Sequence, residues 1–138
     1  TWARENQALS NLADRPIRWI LDDALKYVQR EARRGAQYDG IILDPPKFGR
    51  GPKGEVWEFY KLIPSLLQDC RAILSPSPLF VCMTAYAIKA SSLTIYQAMQ
   101  EMMKGYQGQT NAGELVSIDS SGGRTLSHAI YARWSKDN

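Results

Sequence analysis

A single carboxylate follows an apolar run in the stretch IILDPPKF, which spans residues 41–48. Pro45 and Pro46 end the run, because neither residue can donate to a β-sheet ladder, and they fix the backbone next to Asp44. Asp44 can accept hydrogen bonds from a bound molecule and complements a positive charge, while Phe48 can stack on a flat ring. The stretch is equally compatible with a turn in which Asp44 binds nearby backbone amides.

Polar side chains also follow two other apolar runs of the chain. Asp22 and Asp23 come after residues 17–21, and Thr84 and Tyr86 end a third run. In open α/β sheets, ligands bind beyond the carboxyl ends of the strands, so these side chains are expected to meet the carboxylate of the IILDPPKF stretch at one edge. Asp23 is also a suitable N-cap for the helix predicted after it, and the two roles are compatible.

Three cations, Lys47, Arg50 and Lys53, surround the carboxylate in a glycine-rich loop. They could contact phosphates of a nucleic acid, although charged loops are commonly only solvated. We interpret these three cations as a contact to RNA.

The spacing of apolar residues predicts helices that alternate with strands. Helices are predicted over 2–12, 24–34, 56–74 and 92–104, and strands over 17–21, 38–43, 79–84, 115–118 and 126–134. The continuous apolar run at 38–43 indicates burial on both faces of a parallel sheet. The last two strands are predicted to form an antiparallel pair at a sheet edge, after a loop at 105–113. This order predicts an α/β fold with right-handed crossovers.

The core face of the last predicted helix consists of apolar residues at helical spacing, namely Leu93, Ile95, Tyr96, Met99 and Met103.

Length and composition are those of one globular domain, with 138 residues, 44% of them hydrophobic and 22% charged. The net charge of +3 means that a polyanionic partner would be bound by a local patch. Cys70, Cys82 and the single histidine, His128, lack the spacing of a metal site, so no metal is expected and a reducing, cytoplasmic setting is favoured. No apolar run is long enough to cross a bilayer, so no membrane partner is expected. The oligomeric state stays open.

The segment YDGIILDPPKFGRG resembles the strand-four motif of class I S-adenosylmethionine-dependent methyltransferases. Its DPP-K-F form is similar to that of bacterial large-subunit ribosomal RNA methyltransferases acting on cytosine C5 or guanine N7. WARENQALSNL resembles the helix after strand two of this family, and IRWILDDALKYV resembles its third strand. LFVCMTAYA resembles its fifth strand, and the predicted C-terminal pair would be strands six and seven. The resemblance therefore covers essentially the whole chain.

This resemblance implies a Rossmann-like fold, with a mostly parallel sheet and an antiparallel C-terminal strand pair. Residues 1–138 would be the C-terminal part of a single catalytic domain, since Thr1 is not a methionine and the chain opens in what looks like the middle of a helix. Strands one and two, which normally lie between strands three and four, are expected to be missing, together with the glycine-rich loop and the acidic residue that holds the ribose. The chain alone is therefore expected to bind the cofactor weakly or not at all.

The resemblance further implies S-adenosyl-L-methionine as the cofactor and RNA as the partner. The implied cofactor-binding residues are Asp23, Ala24, Asp44 and Pro45, the catalytic residues are Asp44, Pro45, Pro46 and Phe48, and the substrate-binding residues are Lys47, Phe48, Arg50 and Tyr86. The carbonyl groups of both prolines are expected to be free acceptors. A non-catalytic RNA-binding module, or a protein or small-molecule acceptor, remains an alternative.

Cys82 bears on the choice of acceptor atom. Cytosine-C5 enzymes of this family use a thiolate just after strand five, where this chain has Thr84-Ala85-Tyr86. Cys82 lies inside the strand, where a cysteine usually packs as an apolar residue. Transfer to a ring or exocyclic nitrogen is therefore favoured over transfer to carbon.

Overall fold

Helices and strands alternate along most of the chain in the computed structural model, which describes residues 2–51 and 54–137. In chain order they are α1 (Trp2–Leu9), α2 (Ala24–Arg33), β1 (Gly40–Leu43), β2 (Phe48–Arg50), β3 (Val56–Glu58), α3 (Phe59–Ala72), β4 (Phe80–Ala85), α4 (Ser92–Met102), β5 (Gly108–Ile118) and β6 (Thr125–Lys136).

Four of the strands form one mixed sheet in the order β1-β4-β6-β5. β1 and β4 are parallel, with Gly40 opposite Phe80 and Leu43 opposite Met83. β6 runs antiparallel to both β4 and β5, which confirms the predicted C-terminal pair. β2 and β3 form a separate antiparallel hairpin directly after the two prolines.

Helices cover one face of this sheet. Val81, Met83 and Ala85 alternate along β4 toward the core and are fully or almost fully buried. Period-2 alternation places every second side chain of a strand on the same face. The apolar stripes of α3 and α4 cover these side chains. The buried residues of the two stripes are Ile63, Leu66, Leu67, Cys70, Ile95, Met99 and Met102.

Burial raises the pKa of the Cys70 thiol to about 12, so this thiol stays protonated at neutral pH.

The predicted strand at residues 17–21 is wrong, because these residues form no strand in the structure. A strand requires a neighbour, and no strand of the described part of the chain lies beside them. Residues 2–21 instead fold locally through Gln7, whose side chain donates to the Leu12 carbonyl at 2.8 Å and accepts from the Trp19 indole at 2.8 Å. α1 ends at Leu9, earlier than predicted, and contains no buried residue.

β1 is an edge strand, so the prediction of burial on both faces at 38–43 is wrong. The Ile42 side chain is 73% exposed. No strand among residues 2–51 and 54–137 pairs with the edge of β1 opposite β4, and the helices α2, α3 and α4 leave the Ile42 face of the sheet open.

Two predicted boundaries also change because strand pairing replaces helix or loop. Val56 belongs to β3, and the helix predicted from this residue starts at Phe59. β5 begins at Gly108 within the predicted loop, because β6 supplies a continuous ladder for a polar segment. Leu93 is exposed and Tyr96 is only half-buried, so neither belongs to the core of α4.

Gly108 lies where β5 passes close to the end of β6. A Cβ atom at this position would lie 2.4 Å from the Ser135 carbonyl oxygen and 2.4 Å from the buried Trp134 ring. We therefore expect Gly108→Ala to lower the free energy of unfolding by about 1–3 kcal/mol, because neither neighbour can move freely. Urea denaturation would measure this loss. Gly113→Ala in the same strand is the control, since its nearest neighbour would be the Tyr131 ring at 3.2 Å, and an equal loss in both variants would contradict the steric explanation.

No helix in the described ranges combines the length and the hydropathy that crossing a membrane requires.

Candidate cofactor cleft

A cavity of about 710 Å³ opens between the start of α2 and the diproline segment with its hairpin. Two segments that sequence analysis singled out separately therefore form one site. The cavity is lined by Leu21, Asp22, Asp23, Ala24, Leu25, Lys26, Pro45, Pro46, Gly49, Arg50, Gly51, Glu55, Trp57 and Leu66.

The first turn of α2 forms one wall. Asp23 is the N-cap, in extended conformation, and its side chain accepts a hydrogen bond from the Lys26 amide at 2.9 Å, which confirms the predicted cap. Asp22 pairs with Arg30 at 2.7 Å. The hydrogen bond from the Arg30 guanidinium holds the pKa of Asp22 below its usual value, so Asp22 is ionised at neutral pH.

The diproline segment and the hairpin form the opposite wall. Pro45 is buried and Pro46 is exposed. The indole Nε1 of Trp57 donates to the Pro46 carbonyl at 2.5 Å, and the Phe59 amide donates to the Lys47 carbonyl at 3.0 Å. The expectation that both proline carbonyls are free is therefore wrong for Pro46, which anchors this corner to β3.

An ion pair connects the two walls. The Lys26 ammonium lies 2.8 Å from a Glu55 carboxylate oxygen, and this hydrogen bond raises the pKa of Lys26 above its usual value. Lys26 is largely exposed, so water and salt screen the pair and it contributes little to stability. The pair bridges the cleft at one point of its rim.

Asp44 lies at the border of the cavity, directly before Pro45, and is exposed rather than part of the lining. Its Oδ1 accepts a hydrogen bond from the Thr84 hydroxyl at 2.5 Å. Thr84 lies in β4, so the carboxyl ends of β1 and β4 converge as their parallel order predicts. The contact orients the carboxylate and uses one of its two oxygens.

Arg50 lines the cavity, whereas Lys47, Phe48 and Tyr86 do not. The Arg50 guanidinium lies 5.8 Å from the centre of the half-exposed Phe48 ring, within the range of a cation–π contact. Tyr86 is the first residue after β4 and is exposed, as is Lys47. Lys53 lies outside the described residues. The roles of Lys47, Phe48, Arg50 and Tyr86 in binding substrate stay predictions.

Cys82 lies two residues before Thr84 and is half-buried on the open face of the sheet, opposite Ile42 in β1 and Arg133 in β6. Among the described residues, no three His, Cys, Asp or Glu side chains lie close enough together to hold a metal ion.

Sequence analysis did not identify Trp57, Lys26 and Glu55 as parts of the site. The role of Trp57 could have been predicted. Its indole N–H needs an acceptor when the ring is half-buried, and the proline segment lies close to it in the sequence. The ion pair could not be found, since it joins residues 29 positions apart.

Trp57→Phe tests whether the indole holds the proline corner. We expect the free energy of unfolding to fall by about 0.5–1.5 kcal/mol, because the Pro46 carbonyl loses its donor while the ring volume is largely kept. Denaturant titration measures the loss. Trp19→Phe is the matched control, as it removes an indole bond from the locally folded segment 2–21. An equal or larger effect of Trp19→Phe would contradict the anchoring role.

Known proteins are similar to this chain in sequence and fold to different extents. A SAM-dependent methyltransferase from Agrobacterium tumefaciens, known from a crystal structure, is 47% identical to this chain in sequence. The match covers 99% of this chain and 45% of the Agrobacterium chain, and the two structures superpose with a TM-score of 0.92. The chain has the fold of class I S-adenosylmethionine-dependent methyltransferases.

Other comparisons are more distant. The putative methyltransferase SMU.776, whose structure is complexed with SAH, is 21% identical over 83% of this chain and 30% of its own, with a TM-score of 0.59, and supports the methyltransferase fold alone. The ribosomal RNA large subunit methyltransferase K/L of Shewanella sp. strain ANA-3 is 36% identical over 55 residues, which are 39% of this chain. This chain spans 8% of that relative and less than half of the Agrobacterium chain. No protein-family model matches.

Proposed function

We propose that this chain is the C-terminal part of a methyltransferase catalytic domain that uses S-adenosyl-L-methionine to methylate a base of RNA. The observation that carries the proposal is that Asp23, Ala24, Pro45 and Pro46 line one shared cleft, with the Asp44 carboxylate at its border. The similarity to a SAM-dependent methyltransferase over nearly the whole chain supports the same activity.

The lining of the cleft suits the adenosine part of the cofactor. Ala24 and the ring of Pro45 offer apolar contacts to a flat base, and Asp23 offers a carboxylate that can accept from an amino group. The cap bond leaves Asp23 a second oxygen for this purpose, because it uses Oδ1. Cap and ligand contact are therefore compatible.

S-adenosyl-L-methionine would supply an electrophilic methyl group on a positively charged sulfur. The protein must then hold the acceptor atom in line, at roughly 3–3.5 Å, which makes positioning the main contribution. Asp44 can accept a hydrogen bond from an amino group of the acceptor base or of the cofactor, and Thr84 keeps its carboxylate oriented. The corner fixed by Trp57 keeps Asp44 beside the cleft.

RNA is proposed as the acceptor because the curated relatives are ribosomal RNA methyltransferases, and because an aromatic ring and a cation follow the carboxylate closely in the sequence. Phe48 and Arg50 together present a surface on which an unstacked base can lie. A nitrogen is the proposed target atom, since it needs no thiolate and the residue after β4 is Tyr86. A cytoplasmic location is part of this proposal.

The incomplete sheet supports the assignment to part of a domain. The free edge of β1, the exposed Ile42 beside it and the unpaired residues 17–21 are what a sheet leaves when neighbouring strands are taken out. The matched region covers 45% of the Agrobacterium chain, so that protein has further segments that could fill such a gap.

Methylation of RNA in vitro tests the function. The full-length protein, of which this chain is proposed to be a part, would be purified and incubated with labelled S-adenosyl-L-methionine and total RNA from cells that lack the gene, followed by digestion to nucleosides. We expect label in one methylated nucleoside of ribosomal RNA. Label in protein or small molecules alone would contradict RNA as the acceptor, and no label in any fraction would contradict the proposed enzyme.

A further inference from the structure

An ion pair joins the two walls of the cofactor cleft at its rim. The Lys26 ammonium belongs to the first turn of α2, and the Glu55 carboxylate lies directly before β3, with 2.8 Å between nitrogen and oxygen. Both residues line the cavity. The Lys26 side chain is 60% exposed and the Glu55 side chain 21%. This Lys26–Glu55 pair is called the latch below.

The position of Lys26 in α2 is one where a helix prefers negative charge. With Asp23 as the N-cap, Lys26 is the third helical residue, where glutamate or glutamine completes a capping box and where the helix dipole favours an acidic side chain. The first turn of α2 contains no acidic residue. Helix formation therefore does not explain a lysine here, whereas a partner outside the helix does, and departures from local preference are expected at functional sites.

The Glu55 side of the latch depends on Gly51, which also lines the cavity. The Gly51 amide donates to the Glu55 carbonyl at 2.9 Å, so the chain turns tightly between these two residues. A Cβ atom on Gly51 would overlap with Oε2 of Glu55 and would lie 3.1 Å from its Cβ atom. The missing side chain therefore leaves the space that one carboxylate oxygen occupies, while the other oxygen, Oε1, contacts Lys26.

The location of the latch distinguishes it from an ordinary surface ion pair. Lys61 and Glu58 form such a pair at 2.8 Å, but they are three residues apart and neither lines the cavity. The latch joins segments 29 positions apart, on opposite sides of a cavity of about 710 Å³. A contact across the rim restricts how a bound molecule leaves, because the walls must separate or the molecule must pass beside the pair.

We propose that the latch closes over the bound cofactor and controls how long it stays in the cleft. The proposed function makes S-adenosyl-L-methionine the occupant of this cleft, so the proposal rests on that function. An exposed ion pair is weak enough to open and close readily, which lets the cofactor enter and the demethylated product leave. Attraction between the two charges then slows release, and salt weakens this attraction.

Release of the cofactor from the full-length protein, of which this chain is proposed to be a part, tests the latch. Protein loaded with labelled S-adenosyl-L-methionine would be mixed with excess unlabelled cofactor, and the loss of bound label would be followed by rapid filtration. We expect Lys26→Glu to release the cofactor about threefold faster or more, because like charges then face each other across the rim. Glutamate suits this position of the helix, so the variant keeps α2 intact.

Three further variants show whether the pair itself is responsible. The charge swap, Lys26→Glu combined with Glu55→Lys, should restore a release rate within about 1.5-fold of the unchanged protein, because the attraction returns. Glu55→Gln keeps the shape of the side chain without its charge, so its release rate should rise less steeply with salt than that of the unchanged protein. Lys61→Glu is the matched control outside the cavity and should leave release unchanged.

Two kinds of failure are distinguishable. If Lys26→Glu releases the cofactor at the rate of the unchanged protein, or if the charge swap stays as fast as Lys26→Glu, the latch is overturned and the proposed function is unaffected. If the unchanged full-length protein binds no S-adenosyl-L-methionine, the proposed function is contradicted and the latch with it.

Discussion

Replacing Asp44 with asparagine is expected to lower kcat for methyl transfer at least about hundredfold, the size of effect seen when one oriented electrostatic contact is lost from an active site. Asparagine keeps the shape of the side chain and can still accept the hydrogen bond from Thr84. It removes the negative charge that complements the positively charged methyl donor. Transfer of labelled methyl groups by the full-length protein, of which this chain is proposed to be a part, measures the loss.

Asp39→Asn provides the matched control for this experiment. Asp39 is an exposed aspartate one residue before β1, so it lies at the amino end of the strand that carries Asp44 at its carboxyl end. Its replacement should leave kcat unchanged. Thr84→Val should produce a smaller loss than Asp44→Asn, because the carboxylate remains but is no longer oriented. Activity of Asp44→Asn within threefold of the unchanged protein, an energy of about 0.6 kcal/mol, would exclude the proposed role.

The second large effect concerns the 138-residue chain by itself. Titration of S-adenosyl-L-methionine into this chain is expected to produce no binding heat up to about 1 mM, which corresponds to less than about 4 kcal/mol of binding free energy. The described cleft offers contacts to a flat base along Asp23, Ala24 and Pro45. The proposed partners of the ribose and of the methionine part lie on segments that would fill the gap beside β1.

Micromolar binding by the isolated chain would contradict this expectation and would require a complete cofactor site within residues 1–138. Calorimetry of the Ala24→Trp variant distinguishes the two cases. If the isolated chain binds in the described cavity, a tryptophan at the start of α2 fills that space and abolishes binding. If it binds elsewhere, the variant binds as tightly as the unchanged chain.

The helices α2, α3 and α4 and the strand β4 could be predicted from the sequence, because most of their apolar residues at helical or strand spacing are buried or packed against the core, with Leu93 and Tyr96 of α4 as exceptions. The convergence of Asp44 and Thr84 followed from topology, since the carboxyl ends of parallel strands lie at one edge. The N-cap at Asp23 was also predictable, because capping is local chemistry.

Features that depend on the pairing of one strand with another could not be predicted. The strands β2 and β3 have three residues each, too few to show a period, and Val56 happens to continue the helical spacing of α3. The first half of β5 is polar and glycine-containing, and it becomes a strand because β6 lies beside it. Residues 17–21 show the reverse case, in which a strand-like pattern without a neighbour forms no strand.

Residues 2–21 are held together by the hydrogen bonds of Gln7, and we expect them to unfold separately from the rest of the chain. These bonds join residues 2–21 to one another, and α1 buries nothing against the sheet. Melting of this segment would therefore leave the enthalpy of the main unfolding transition almost unchanged, because that enthalpy comes from the packed layer of α3, α4, β4 and β6.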